Sequence, residues 1–152
     1  MKPSRSFEEY VKRKVLRKKF PDVNRAKSLL EVSSASFEDL FERIKLMGLT
    51  PRNVNSIITS AYEVLMEGLR ARLLLEGYSA SGNGAHEAEV ASLLKFGFSY
   101  SHVSFLNGLR NFRNGIFYYG KTFDLDYASK VLSFLNEVYP KLKKEIENAT
   151  KN

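Results

Sequence analysis

Apolar residues recur at intervals of three and four along nearly the whole chain, and nowhere do they alternate with period two for the length of a strand. In "VNRAKSLLEVSSASFEDLFERIKLM", Val23, Ala26, Leu29, Leu30, Phe37, Leu40, Phe41 and Ile44 recur toward Met47, positions that a helix gathers on one face. The spacing predicts one long amphipathic helix, with "SSAS" as the place for a kink. A second long helix carries Val54, Ile57, Ile58, Ala61, Leu65 and Leu69 and stops near Gly77. A shorter one over about 85–95 places Ala88, Ala91, Leu93 and Leu94 inside. The last, from about Asp126 to Asn148, buries Tyr127, Val131, Leu132, Leu135, Val138 and Leu142.

The breaks between these segments have a physical cause. "FPDVN" stops one helix and offers Asp22 as the cap of the next. In "MGLTPRN", Gly48 suits a helix end, Thr50 a cap and Pro51 a first turn. "GYSASGNGAHEAE" reads as a surface loop, since the glycine spacing and preceding strand of a phosphate-cradling loop are both missing. The fold class that follows is all-α, an antiparallel bundle of four main helices plus smaller ones. At 152 residues the chain can bury one core. It has no cysteine and two histidines, which excludes disulfides and thiolate chemistry and predicts no metal site and no cofactor. No apolar run approaches a membrane span, and the first twenty residues lack an apolar signal core, so no membrane partner and a cytoplasmic location are expected.

The net charge of +7 is concentrated at one end. Residues 1–27 hold ten Lys/Arg against three Asp/Glu, while residues 28–152 hold fourteen of each sign. Such a segment steers toward phosphate polymers or acidic surfaces, or serves solubility. Ser6 and Glu9 form a capping box, and Glu8–Lys12 and Glu9–Arg13 are spaced to pair. These signals predict a short basic helix over about 7–19 with a thin apolar stripe of Tyr10, Val11, Val15 and Phe20. It is free to lie on RNA, on a membrane surface or across its own domain.

The stretch "GLRNFRNGIFYYGK", residues 108–121, separates into three stripes at about 100° per residue. Phe105, Leu109, Phe112, Ile116 and Tyr119 form a core stripe. Arg110, Arg113, Asn114, Tyr118 and Lys121 share the opposite arc, and Ser101, Ser104, Gly108, Asn111 and Gly115 run between. Two mid-helix glycines suggest the close approach of another backbone, from this bundle or from a second subunit. The cationic arc holds no carboxylate and suits a phosphodiester; the same arginines could instead bridge to Glu63, Glu67 or Glu87.

With "RNGIFYYG" in place after the helices "AYEVLMEGLRARLLLEGYSASGNGAHEAEVASLL" and before "DYASKVLSFLNEVYPKLKKEI", the chain resembles the HEPN domains. These are five-helix bundles marked by an arginine, a following polar residue and a histidine four to six residues on. The resemblance covers about residues 23–146. It implies a HEPN-type up-and-down bundle over residues 22–152 and an added basic helix over 1–21. Many members are metal-independent endoribonucleases of toxin–antitoxin pairs, CRISPR effectors or RNA processing; others bind nucleotides or partner a small nucleotidyltransferase. By that resemblance Arg113 would contact the scissile phosphate, Asn114 would orient its neighbours, and two subunits would join their sites across a homodimer interface. The histidine's place is taken by Tyr118, followed by Tyr119 and Gly120. With a pKa near 10 a tyrosine is a poor base at neutral pH, although it can donate to phosphate or stack on a base. The resemblance therefore implies RNA or nucleotide binding through Arg110, Arg113, Asn114, Tyr118 and Lys121, with ribonuclease activity weak or absent. Its alternatives are an active ribonuclease using Arg113, Asn114 and Tyr118, and a helical partner of a nucleotidyltransferase-like protein.

Overall fold

A computed structural model describes residues 5–119 and 124–151, the side chains of 116–119 excepted. Its elements are α1 (Phe7–Lys12), β1 (Leu16–Lys18), α2 (Val23–Met47), α3 (Val54–Leu75), β2 (Tyr78–Ala80), α4 (Ala85–Ala91), a 3-10 turn (Ser92–Leu94), α5 (Tyr100–Tyr119) and α6 (Leu125–Ala149). The described residues form an all-α bundle of four long helices with smaller ones, carrying one two-stranded sheet.

Helix α3 is the centre. It buries Ile57, Ile58, Ala61, Leu65, Leu69 and Leu73, and α2, α6, α5 and α4 all pack on it. Helix α6 comes close at Gly68, where an added Cβ would sit 3.1 Å from the Tyr139 ring. That ring stacks on Phe37, with centroids 4.9 Å apart, and its hydroxyl lies 2.7 Å from Ser33 Oγ deep in the core. Helix α2 runs through "SSAS" as one continuous helix. Ser33 Oγ also donates to the Leu30 carbonyl, a local bond that keeps a buried hydroxyl satisfied within the helix.

Two expectations are corrected at the N-terminus. The basic segment is helical only to Lys12, although Ser6 Oγ does accept from the Glu9 N–H as its capping role requires. Continuing the helix would stack Arg13 on Arg17 and Lys14 on Lys18 four residues apart, a repulsive arrangement. Instead Lys14 turns left-handed at φ 61°, and Leu16–Lys18 pair antiparallel with Tyr78–Ala80, Lys18 opposite Tyr78. The Glu8–Lys12 and Glu9–Arg13 ion pairs do not form among the described residues. The supposed surface loop after Gly77 thereby contains a strand. Phe7, Tyr10 and Leu16 enter the same core as α3 and α6, and Phe7 meets Tyr78 edge to face at 5.0 Å. The segment lies across its own domain.

No helix among the described residues is long and apolar enough to cross a membrane.

Candidate nucleic-acid interface

Helix α5 is rotated relative to the stripe assigned to it. Val103, Leu106, Asn107 and Leu109 are buried, whereas Phe105 is half-buried and Phe112 is 39% exposed. Both phenylalanines rest against α6: Phe105 stacks on Phe134 at 4.5 Å, and Phe112 meets Tyr127 edge to face at 4.6 Å. Ile116 and Tyr119 carry side chains outside the described residues. The rotation turns the arginines toward α3. Arg113 Nη2 donates to Glu63 Oε1 at 3.2 Å, and its guanidinium lies 5.8 Å from the Tyr62 ring centre. Arg110 Nε is buried, with no hydrogen-bond partner among the described residues, and Asn114 is half-buried. The side chain of Tyr118 and all of Lys121 lie outside the described residues.

Arg113 and Arg110 are therefore brought together, but against a carboxylate, so the local field is that of a mixed-charge layer. The Arg113–Glu63 pair is too exposed to contribute more than about 1 kcal/mol of stability. Its effect is to occupy one guanidinium edge. Above that pair, Tyr62 is almost fully buried. Burial is the main force pushing its phenol up to about 12, opposed by Arg110 and Arg113 and aided by Glu63. Because the folded value is raised, the stabilisation is complete below pH 10 and is lost as pH rises from 10 through 12. By about pH 11, wild type should lose about 1 kcal/mol more than Tyr62→Phe, each relative to its own value at about pH 9. Denaturant melts at the two pH values measure this; equal losses in both proteins would contradict the burial.

Farther along α3, Arg70 Nε donates to Glu89 Oε2 at 2.8 Å, and His86 Nδ1 lies 3.1 Å from Glu89 Oε1. His102 caps its own helix: Nδ1 accepts from the Ser99 N–H at 3.2 Å, which leaves the Nε2 hydrogen to Glu137 Oε1 at 2.9 Å. Neither histidine is hydrogen-bonded to Arg113 or Asn114 among the described residues, so neither stands in for a motif histidine by contact. The small-residue stripe of α5 is likewise uncovered within the chain at Gly108, where an added Cβ would meet nothing within 4 Å. The glycine that admits a neighbouring helix is Gly68, not Gly108.

The strongest cationic feature lies elsewhere. Lys12, Arg13, Lys14, Arg17, Lys18 and Lys19 are all exposed, and none is in an ion pair among the described residues. Arg17 Nε donates to the Lys14 carbonyl, which holds the turn. Lys18 Nζ sits 5.0 Å from the Tyr78 ring centre, and Lys95 Nζ 4.5 Å from that of Phe7, contacts that place a seventh cation beside the array. Composition flagged this end of the chain; its strand and its anchoring on β2 left no signal in a sequence window.

No family model, curated protein or solved structure matches this chain. Six unneutralised cations within eight residues, on a backbone tied to a folded bundle, attract a polyanion without requiring a particular base sequence.

Proposed function

We propose that the chain is a cytoplasmic, HEPN-type up-and-down bundle that binds RNA or nucleotide phosphates, with its N-terminal cations supplying most of the attraction. The observation that carries this reading is the exposure of all six cations from Lys12 to Lys19, with no carboxylate paired to them among the described residues. Arg113, Arg110 and Asn114 form the second, weaker contact, since Glu63 already occupies part of Arg113; Tyr118 and Lys121 extend that contact on the family resemblance alone. Ribonuclease activity is weak or absent because Tyr118 stands where the resemblance requires a histidine near neutral pKa.

The test uses a labelled single-stranded RNA at about 50 mM salt without divalent metal. Wild type binds and leaves the RNA intact, and Arg113→Ala weakens binding by no more than about fivefold. Metal-independent cleavage that stops in Tyr118→Phe would replace this reading with that of an active endoribonuclease. Absence of salt-sensitive binding in wild type would remove it.

A second reading, a subunit interface along α5, is favoured by the open space over Gly108 beside the half-exposed Phe112. It fits a homodimer or a nucleotidyltransferase-like partner. A monomeric mass in light scattering, together with no partner co-purifying from the source cells, would exclude both.

A further inference from the structure

One side chain beside the cation array has no structural use. Phe20 is 93% exposed, although burying a phenylalanine stabilises a fold by about 2–3 kcal/mol. The chain on either side of it is pinned. Lys19 N–H donates to the Gly77 carbonyl and Asp22 N–H to the Leu74 carbonyl at 3.0 Å, while Asp22 Oδ1 caps α2 by accepting from the Arg25 N–H at 3.0 Å. Phe20 and Pro21 therefore span a short gap between two fixed points, and proline stiffens that span further. The aromatic ring is presented to solvent on a fixed mount, directly after Arg17, Lys18 and Lys19.

We propose that this ring is a base-stacking platform and that the N-terminal surface selects single-stranded RNA over duplex. The inference rests on the RNA-binding reading above and adds the substrate class. An exposed aromatic next to cations matches the two needs of an unpaired strand: phosphates are neutralised while a base lies on the ring. A duplex keeps its bases stacked on one another and offers the ring nothing but its backbone. An anionic membrane would also attract the cations, but interfacial binding draws on a broad apolar face. Among the described residues close in sequence to the array, the large exposed hydrophobic side chains are Phe20 and Val23, of which Phe20 alone is aromatic.

The chain has no tryptophan, so Phe20→Trp places a single tryptophan, excited selectively over the tyrosines, at the platform. The probes are an oligoadenylate of about 12 nucleotides, its duplex with oligouridylate, and vesicles of phosphatidylserine and phosphatidylcholine. The single strand should quench the Trp emission and the duplex should not. Phe20→Ala should lose about 5- to 100-fold in affinity for the single strand and less than twofold for the duplex, with Phe20→Tyr restoring most of the loss. Unchanged single-strand affinity in Phe20→Ala, with salt-sensitive binding retained, would overturn the platform and leave the RNA-binding reading standing. Failure of wild type to bind either RNA would overturn both. A blue shift with vesicles, with RNA leaving the emission unchanged, would make the surface a membrane contact and overturn the platform.

Discussion

Replacing Lys12, Arg13, Lys14, Arg17, Lys18 and Lys19 together by glutamine should lower RNA affinity by about 100- to 1,000-fold at about 50 mM salt, with the fold intact. All six side chains are exposed and none is in an ion pair among the described residues. Their removal therefore leaves no buried charge without a partner and relieves mutual repulsion. The core residues of the same segment, Phe7, Tyr10 and Leu16, are untouched. Circular dichroism should match wild type and the denaturation midpoint should fall only slightly, for the lost Arg17–Lys14 carbonyl bond and Lys18–Tyr78 contact, and that control separates lost attraction from lost structure. Affinity within about threefold of wild type would remove the array from the account.

Gly77→Ala should destabilise the protein by about 2–4 kcal/mol, far more than an exposed glycine replacement elsewhere. Gly77 follows the last turn of α3 at φ 82°, with its N–H donating to the Leu74 carbonyl. A side chain there is strained by the left-handed backbone alone. The added Cβ would also overlap the Lys19 carbonyl oxygen, a backbone atom that cannot swing aside, so the Lys19–Gly77 hydrogen bond must break. Because that bond fixes the end of β1, the variant should also expose Arg17 and Lys18 to trypsin more rapidly than wild type. Gly108→Ala is the control: its Cβ meets nothing within 4 Å, and helix propensity should make it stabilising by up to about 1 kcal/mol in the monomer. Destabilisation below about 0.5 kcal/mol in Gly77→Ala, with unchanged tryptic cleavage, would contradict the anchoring of the cation array.

The long helices were legible because their cause is local. Apolar spacing, the Asp22 cap and the Gly48 stop act within one or two turns, and the structure places α2 and α3 within a few residues of the expected ends. What was not legible depends on partners distant in sequence. Residues 16–18 form a strand only because 78–80 complete it, and no window around Leu16 contains that information. Helix α5 shows the same limit in another form. A helical wheel orders Phe105, Arg110, Phe112 and Arg113 around the axis, but the zero of the rotation is set by neighbours. Tyr127 and Phe134 of α6 draw the phenylalanines to a half-exposed seam, and Glu63 of α3 draws Arg113 inward. An ion pair between Arg113 and Glu63 could be named in advance as an alternative to an open cationic face, since acid and base were both visible. Choosing between them required the packing of α5 on α3. The unpaired state of the N-terminal cations was hidden for a related reason. Glu8 and Lys12 lie one turn apart inside α1 and still do not pair among the described residues, so spacing alone did not decide it.

The salt dependence of RNA binding in wild type, in the six-glutamine variant and in Arg113→Ala separates the two cationic surfaces. A single strand contacted by six cations should give a slope of log affinity against log salt of about −4, falling to about −1 or less in the six-glutamine variant. Arg113→Ala should keep a slope within about one of wild type. A slope that survives loss of the array and collapses with Arg113→Ala would place the interface on α5 and contradict the account.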